Sequence, residues 1–380
     1  MKLLVVAGEL SGDTHGGAIL TKLHETLPDM ELIGVGGPKM AEAGLESIVP
    51  LSSLQARGIV EVVRHIPRHY FLLKRLERMM EQERPDAVLL IDYPGFNLRV
   101  ARSAKARGLP VFFYCGPQLW AWRGGRMRFV SQYVDRIVVL FPFEPPLYEK
   151  AGVDARFLGH PLVGEKASPK EMESLKKQLG DTKNKPIVAV MPGSRPGELS
   201  RNLPPLLEGI RMIQEGGYEG VFVLPVAPTL STEEVTQSVA ESGAKVVVVD
   251  GGFLSLLEIS DLGLVASGTA TLEAAMAGFP FVVIYRVAPL TYRIAKRYAY
   301  IQHISIVNIL AKKEIVPEVL QLDFTPERVK EEFLKIALDE KKQKEIREEL
   351  KRVSAMLGEP GAYDRAAQEV AAFLKEKVSP

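Results

Sequence analysis

The sequence predicts an α/β protein of two domains, each built on a parallel sheet covered by helices. Three observations carry this prediction. Short apolar runs alternate with helical stretches, a polar segment at residues 165–186 interrupts the alternation, and the pattern then restarts. At 380 residues and 46% hydrophobic, the chain also exceeds the usual size of a single domain.

Each half contains five apolar runs that predict buried strands. In the first half the runs are residues 3–7, 32–35, 87–91, 111–114 and 137–141. In the second half they are residues 187–191, 221–226, 246–249, 262–266 and 281–285. From Pro326 onward Glu, Lys, Arg and Leu dominate, which predicts helices with one bend at 358–361. We therefore predict domains at 1–164 and 165–359, followed by a terminal segment at 360–380.

Charge and composition exclude several kinds of partner. With 48 basic and 47 acidic residues the net charge is +1, so no overall field attracts nucleic acid. The single cysteine, Cys115, cannot form an intramolecular disulfide, which favours a cytoplasmic compartment. The first residues lack the pattern of a signal peptide, and no apolar run approaches the roughly 18 to 20 residues that span a bilayer.

The segment GELSGDTHGG at 8–17 directly follows the first predicted strand. Ligands of parallel sheets bind beyond the carboxyl ends of strands, so two such domains would enclose a cleft at this edge. The glycines permit close approach of a ligand to the backbone, and Glu9 and Asp13 add carboxylates. Asp13 can equally cap a helix that begins near Thr14. The spacing matches neither the dinucleotide fingerprint nor a P-loop.

A second strand end carries MPGSR at 191–195. Gly193 and Ser194 predict a tight turn, and the planar fork of Arg195 suits a diphosphate. The alternative is an ordinary turn with a surface arginine.

The segment ASGTATLEAA at 266–275 also follows a predicted strand. Its hydroxyl groups and the amide groups at the start of a helix suit an anion, and Glu273 can accept from the two hydroxyls of a ribose. The alternative is an ordinary helix cap with Glu273 as its capping-box acid. Together with Arg195, the segment favours a nucleotide site.

Asp92 ends the strand at 87–91 and is followed by a proline turn that leads to Asn97. Such an aspartate either faces the cleft, where it can act as a general base, or caps the next helix. From the residues alone, the cap is the favoured alternative.

Both tryptophans, Trp120 and Trp122, lie just past the strand at 111–114, and Arg123 and Arg126 follow closely. Aromatic faces beside guanidinium groups suit a sugar and its phosphate. The alternative is a pair of core tryptophans followed by a solvated basic helix.

The segment 57–80 carries more apolar side chains than one core-facing stripe requires, interleaved with six basic residues. It can lie in the headgroup region of an anionic membrane leaflet, with Pro67 dividing it into two pieces. The alternative is a helix that packs on the sheet with a basic solvated face. The predicted lipid-facing residues are Val60, Val62, Val63, Ile66, Phe71 and Leu72.

The six histidines show no metal-ligand spacing, and no Gly-x-Ser-x-Gly elbow indicates a hydrolase. We predict no metal and no cofactor. These stretches together resemble the lipid-A-disaccharide synthase family, inverting glycosyltransferases of the GT-B type with two Rossmann-like domains facing across a cleft. The resemblance covers essentially the whole chain and depends on GELSGD at 8–13, IGVGGP at 33–38, GIVEV at 58–62, IDYPGFN at 91–97, WAWR at 120–123, FPFE at 141–144, LGHP at 158–161, PGSR at 192–195 and SGTATLE at 267–273.

The resemblance implies transfer of 2,3-diacylglucosamine from its UDP derivative to the 6-hydroxyl of 2,3-diacylglucosamine 1-phosphate, or lipid X, at the cytoplasmic face of the inner membrane. It also implies that the terminal helix around 363–377 returns to the first domain, and homodimer formation stays open. UDP would be bound by Gly193, Ser194, Arg195, Ser267, Gly268, Thr269, Ala270, Thr271 and Glu273. The acceptor would be bound by Ser11, Gly12, Asn97, Trp120, Trp122, Arg123 and Arg126.

Asp92 matches the family's proposed general base, although Gly95 stands where the family often has a second aspartate. Glu9 and Asp13 are therefore kept as alternative bases. Two rival enzymes share the predicted fold: a UDP-sugar transferase with another acceptor, and a UDP-sugar epimerase. A binding protein that closes on a ligand without chemistry is a third alternative, but such proteins usually carry a signal peptide.

Overall fold

The computed structural model describes residues 1–50, 59–120, 125–182, 184–288, 292 and 302–378, and it gives no side-chain placement for residues 50, 59–66, 125 and 126. The chain divides into two compact units, one formed by residues 1–163 with 357–380 and the other by residues 164–356. Both are parallel α/β units, which confirms the predicted fold class.

Unit 1 is built on a seven-stranded sheet in the order β3-β2-β1-β4-β5-β6-β7. Its strands are β1 (Lys2–Ala7), β2 (Glu31–Gly36), β3 (Glu46–Pro50), β4 (Ala87–Ile91), β5 (Val111–Tyr114), β6 (Arg136–Val139) and β7 (Asp154–Phe157). Its helices from this part of the chain are α1 (Leu10–Thr26), α2 (Pro38–Glu42), α3 (Ile59–Gln82), α4 (Pro94–Lys105), α5 (Gly125–Tyr133) and α6 (Pro145–Glu149). The central strands are buried on both faces, as their unbroken apolar sequence predicts.

Unit 2 has a six-stranded sheet in the order β10-β9-β8-β11-β12-β13. The strands are β8 (Ile187–Met191), β9 (Val221–Val226), β10 (Val246–Asp250), β11 (Leu262–Ala266), β12 (Phe281–Tyr285) and β13 (Glu318–Leu320). The helices are α7 (Pro169–Leu179), α8 (Pro196–Glu215), α9 (Thr232–Ser242), α10 (Phe253–Ile259), α11 (Thr269–Ala277), α12 (Ile306–Ala311), α13 (Pro326–Ala337) and α14 (Glu340–Met356).

The last helix, α15 (Ala362–Val378), belongs to unit 1, which confirms the predicted return of the C-terminal helix. Its apolar face, which includes Val370, Phe373 and Leu374, joins α1 in the core on one side of the unit 1 sheet. Arg136 of β6 forms ion pairs with Glu369 at 3.1 Å and with Glu376 at 2.8 Å. Apolar packing and buried charge therefore both hold α15 on unit 1.

The helix α3 corrects one sequence prediction. Pro67 was expected to divide the segment into two pieces, whereas α3 runs through it as one helix of 24 residues. Proline in a helix interior removes one amide hydrogen bond and crowds the preceding turn. The buried side of α3 keeps the C-terminal half of the helix on the sheet. Its residues Leu72, Leu76 and Met80 pack in the core on the other face of the unit 1 sheet from α15.

Candidate functional site

In both units the predicted site segments follow the two central strands at which the strand order reverses. In unit 1, β1 and β4 are neighbours, with Ala7 paired to Ile91, so the loops that begin at Gly8 and Asp92 start side by side. In unit 2, β8 and β11 are neighbours, with Met191 paired to Val265. Loops that diverge at such a point leave a crevice at the carboxyl ends of the strands, which is where ligands of these sheets bind.

Asp92 lies at the unit 1 crevice, and its carboxylate is oriented by a neighbouring hydroxyl. Ser11, at the start of α1, donates from Oγ to Oδ2 of Asp92 over 2.8 Å. Both residues retain access to solvent, and Glu9, the exposed N-cap residue of α1, lies on the same loop. Asp92 has a φ of 50°, so it does not have the extended conformation of an ordinary helix cap. The structure thus brings Asp92, Ser11 and Glu9 to one edge of the sheet.

The glycines of the first loop serve packing. A Cβ at Gly8 would lie 2.2 Å from Cδ1 of Tyr93, so the ring of Tyr93 occupies the space above Gly8. A Cβ at Gly12 would lie 3.2 Å from Cβ of Ala7, which means that α1 packs closely on β1. Gly12 is buried, and its predicted contact with the acceptor stays a prediction.

Asp13 holds a neighbouring loop. It is buried, and its carboxylate accepts from the amides of Gly37 at 2.8 Å, Lys39 at 3.2 Å and Met40 at 3.1 Å. These amides belong to the start of α2, so Asp13 caps a helix that is distant in sequence instead of one beginning near Thr14. With both oxygens engaged by backbone donors, Asp13 is not positioned to accept a proton from a substrate, and the prediction that it is an alternative base is corrected.

Asn97 is also structural. Its side chain is fully buried, and Nδ2 donates to the carbonyl oxygens of Val6 at 3.2 Å, Ile91 at 3.2 Å and Asp92 at 2.7 Å. These carbonyl groups close the ends of β1 and β4, so Asn97 fixes the crevice instead of binding the acceptor as predicted.

Trp120 is partly exposed, and its indole nitrogen is already engaged. Nε1 donates to Oε1 of Glu144 over 2.9 Å, while Oε2 of Glu144 accepts from the amides of Leu140 and Phe141. Burial raises the pKa of Glu144 to about 7. The three hydrogen bonds favour the ionised form and oppose this rise only in part. Trp120 can therefore offer a ligand its ring but not its N–H group.

The remaining predicted acceptor residues are not described at the side-chain level. Trp122 and Arg123 lie outside the described residues, and for Arg126 only the backbone, in α5, is described. Their predicted contacts with the acceptor stay predictions.

The predicted lipid-facing residues of α3 divide into three groups. Phe71 is 70% exposed and lies beside Tyr70, which is 57% exposed. Leu72 is buried in the core, so its predicted contact with lipid is wrong, because the helix turns it toward the sheet. The side chains of Val60, Val62, Val63 and Ile66 lie outside the described residues.

Two histidines of unit 1, the half-buried His15 and the buried His160, were not among the predicted site residues. His15 of α1 forms a 2.8 Å hydrogen bond with the hydroxyl of Tyr363 in α15, and burial lowers the pKa of His15. His160 accepts from the amide of Leu162 at Nδ1 over 3.3 Å, and burial lowers the pKa of His160 to about 4. The ring of His160 is therefore neutral at pH 7. The motif LGHP at 158–161 was the sequence pattern that could have drawn attention to His160.

Arg195 is the N-cap residue of α8, and its side chain is 77% exposed with a 3.2 Å ion pair to Glu198. The hydroxyl of Thr229 hydrogen-bonds to the carbonyl oxygen of Ser194 and holds the turn. Gly193 has a φ of 122°, and a Cβ there would lie 2.8 Å from Cβ of Glu198. The turn thus requires glycine, and it presents an accessible guanidinium at the unit 2 crevice.

The start of α11 forms the other wall of this crevice. Its N-cap residue is Gly268, with a φ of 148°, and no side chain caps the helix. A Cβ built on Gly268 would have nothing within 4 Å, so the approach to the helix amides is open. Thr269 and Gly268 are exposed, while Ser267 and Ala270 are half-buried. Uncapped amides at a helix start suit an anion.

Thr271 does not match its predicted role. It is fully buried, and its hydroxyl donates to the carbonyl oxygen of Gly268 over 2.7 Å. The hydroxyl therefore shapes the turn before α11 and does not reach a ligand, which corrects the prediction that Thr271 contacts UDP.

Glu273 is the fifth residue of α11, too far along the helix to act as the capping-box acid of the alternative. Burial, followed by the negative charge of Glu165, raises the pKa of Glu273 to about 7. Glu273 is half-buried, and no ion pair forms with it among the described residues. A carboxylate in such surroundings is costly, and such groups are found where function requires them.

Two further features bear on the kind of site. Within the described residues, no group of three or more His, Cys, Asp or Glu side chains is arranged to hold a metal ion. Among the helices of the described part of the chain, none has both the length and the apolarity needed to cross a membrane.

Solved structures with the same architecture define the class of protein. The UDP-GlcNAc 2-epimerase of Neisseria meningitidis, bound to UDP-GlcNAc, superposes with a TM-score of 0.59 at 14% identity and covers 99% of this chain and 100% of its own. MurG of Acinetobacter baumannii has a TM-score of 0.57 at 14% identity, with 98% and 99% covered. The two units therefore form a GT-B glycosyltransferase fold.

Sequence comparison identifies the family. A family model described as lipid-A-disaccharide synthetase matches residues 3–373. The lipid-A-disaccharide synthase of Anaeromyxobacter dehalogenans (strain 2CP-C) is 41% identical over 375 residues, 98% of each chain, and that of Myxococcus xanthus (strain DK1622) is 39% identical over 373 residues, 98% of this chain and 97% of its own. The chain belongs to the lipid-A-disaccharide synthase family, and it is a glycosyltransferase of lipid A biosynthesis.

Proposed function

We propose that this protein transfers 2,3-diacylglucosamine from UDP-2,3-diacylglucosamine to the 6-hydroxyl of 2,3-diacylglucosamine 1-phosphate. The products are a β-1,6-linked disaccharide 1-phosphate and UDP. The observation that carries the mechanism is the accessible Asp92 carboxylate at the unit 1 crevice, oriented by Ser11 through a 2.8 Å hydrogen bond.

Asp92 acts as the general base in this proposal. It accepts the proton of the acceptor hydroxyl while the hydroxyl oxygen attacks the anomeric carbon from the side opposite UDP. The bond between the anomeric carbon and the phosphate oxygen breaks, its electron pair leaves with UDP, and the configuration is inverted. The engagement of Asp13 by three backbone amides supports the choice of Asp92, and Glu9 is the remaining carboxylate of the loop.

Unit 2 binds the donor in this proposal. The Arg195 guanidinium and the uncapped amides at the start of α11 stabilise the charge that develops on the departing diphosphate. Glu273 accepts from the ribose hydroxyls. Because these groups supply the positive field, we infer that the reaction proceeds without a divalent metal.

The acyl chains of both substrates reside in a bilayer, and we propose that α3 brings the protein to its surface from the cytoplasmic side. The exposed aromatic pair Tyr70 and Phe71 supports this role, together with the exposed basic side chains on the same helix. These are Arg68, Lys74, Arg75 and Arg78. Aromatic side chains enter the headgroup region and basic ones attract anionic lipid.

The test combines the purified protein with both substrates in detergent and a metal chelator, followed by mass spectrometry and UDP measurement. We expect disaccharide and UDP in equal amounts from the wild type, and a fall of at least about a thousandfold in Asp92→Asn. Retained turnover in Asp92→Asn would remove Asp92 as the base. UDP binding without disaccharide would favour a different acceptor, and an epimerised UDP-sugar would favour the epimerase alternative.

A further inference from the structure

The turn that carries Asp92 has an unusual backbone conformation. Asp92 and the following Tyr93 have φ values of 50° and 52°, in the left-handed region. For residues other than glycine this conformation is unfavourable, and it persists only where the surroundings maintain it. The backbone is held by the Asp92 amide, which donates to the Tyr114 carbonyl over 2.9 Å, and by Asn97, which donates to the Asp92 carbonyl.

The side chain of Tyr93 secures the turn from the first loop. Its ring lies on Gly8, so closely that a Cβ there would be 2.2 Å from Cδ1, and it packs against Phe96 with ring centroids 6.0 Å apart. Movement of this ring would move the backbone of the residue next to Asp92.

The hydroxyl of Tyr93 is held by α3. His69 hydrogen-bonds to it through Nε2, and the His69 ring also packs edge-on against Phe96 at a centroid distance of 5.6 Å. His69 directly precedes Tyr70 and Phe71, the exposed aromatic pair of the same helix. One residue of α3 thus contacts the turn of the proposed base.

We propose that His69 is a positioning residue for Asp92 and acts through Tyr93. The inference depends on the proposed function, in which Asp92 accepts the proton. Loss of the His69–Tyr93 hydrogen bond lets the Tyr93 ring leave Gly8 and the turn relax from its left-handed conformation, which displaces the carboxylate from the attacking hydroxyl. Displacement of about 1 Å can cost as much as a hundredfold in rate.

The experiment measures kcat and KM of the full chain for His69→Ala, Tyr93→Phe, the double variant and His69→Gln. We expect each of the first two to lower kcat about tenfold, with KM for the UDP-sugar unchanged, because donor binding belongs to unit 2. The double variant should resemble the single ones, because both remove the same hydrogen bond. His69→Gln, whose amide can reach the position of Nε2, should regain most of the rate.

His24→Ala, on the exposed side of α1, is the matched control and should have the wild-type rate. Tyr93→Phe retains the aromatic ring and removes only the hydroxyl, so it tests the hydrogen bond even if His69→Ala folds poorly. Wild-type kcat in Tyr93→Phe, or losses that multiply in the double variant, overturns the inference. Asp92→Asn separates the two proposals. If Asp92→Asn is inactive while Tyr93→Phe is fully active, only the role of His69 is removed. If Asp92→Asn is fully active, both proposals are removed.

Discussion

Three carboxylates of the predicted site have different roles because each has a different environment. Asp13 is buried under three backbone amides, and Asp92 accepts from one hydroxyl at an accessible edge. Glu273 is half-buried on a helix, close to the negative charge of Glu165. A carboxylate with its oxygens engaged by the backbone stabilises a fold, whereas one that retains access to substrate can perform chemistry. The residue type alone does not separate these roles.

Arg195 provides a direct test of the donor site. Arg195→Ala should lower kcat by about 10²–10³, the usual cost of removing one preorganised charge stabiliser. Its free energy of unfolding should change by less than about 0.5 kcal/mol, because the side chain is 77% exposed and its ion pair with Glu198 is a surface pair. Steady-state kinetics and thermal unfolding measure both quantities. Wild-type turnover would exclude Arg195 from the site.

Glu273 should make stability depend on pH. Its pKa of about 7 in the folded protein exceeds the ordinary 4.5, so the folded state holds the proton more tightly, and stability falls as pH rises from about 4.5 through 7. Glu273→Gln should therefore raise the free energy of unfolding at pH 8, by as much as about 3 kcal/mol, and leave it nearly unchanged at pH 4. UDP affinity should fall about tenfold.

Denaturant titration at the two pH values and calorimetric titration with UDP measure these effects. Glu345→Gln, at an exposed position of α14, is the matched control and should change neither quantity. A Glu273→Gln protein that is less stable than the wild type at pH 8 would instead indicate a structural role for Glu273.

Among the elements, α3 has two faces with different surroundings. Leu72, Leu76 and Met80 pack in the core, while Tyr70 and Phe71 face outward. A helix whose apolar residues extend beyond its core-facing stripe has surface to offer to another apolar phase. Because both faces carry apolar side chains, the lipid-facing residues predicted from the sequence included Leu72, which packs in the core.

Phe71→Ala should weaken binding to vesicles of phosphatidylcholine with phosphatidylglycerol by about tenfold, since one large apolar side chain contributes on the order of 1.5–3 kcal/mol when removed from water. Cosedimentation with the vesicles measures the bound fraction. The control is Leu338→Ala, which removes a side chain that is 73% exposed at the end of α13 in unit 2. Equal binding by Phe71→Ala and the wild type would remove α3 as the lipid contact.

At the scale of the whole molecule, one group of hydrogen bonds holds the segment through which the chain returns to unit 1. Arg365 of α15 donates to the carbonyl oxygens of Leu158 at 2.7 Å, Glu359 at 2.5 Å and Pro360 at 2.8 Å. The amide of His160 donates to the carbonyl of Leu357 over 2.8 Å. The motif at 158–161 therefore contacts the segment that brings α15 back to unit 1.

Arg365→Ala should lower the free energy of unfolding by about 2–3 kcal/mol, because three carbonyl groups lose a charged donor. Differential scanning calorimetry measures the change. Arg352→Ala, which removes a guanidinium that is 71% exposed and paired with Glu349, should cost less than about 0.5 kcal/mol. Equal stability of the two variants would mean that the hydrogen bonds of Arg365 do not hold the terminal segment.

Ten strands in their order along the chain, the return of the chain after 358–361 and the family were readable from the sequence, whereas the edge strands β3, β7 and β13 match none of the predicted apolar runs. Apolar runs and strand-end motifs are local patterns, and the right-handed parallel connection leaves few ways to arrange them. For the same reason the motifs at 8–17, 92–97, 193–195 and 267–273 were correctly predicted to follow strand ends.

Only the folded chain decides which residues of those motifs are structural and which remain accessible to a substrate. Asp13 finds its three amides 24 to 27 residues away, Asn97 reaches across to Val6, and His69 meets Tyr93 from another helix. Burial and hydrogen bonding are set by partners that parallel β/α connections bring together from distant positions. A local pattern therefore locates a site at a strand end, while the choice between a structural and a chemical carboxylate is made by contacts between segments far apart in the chain.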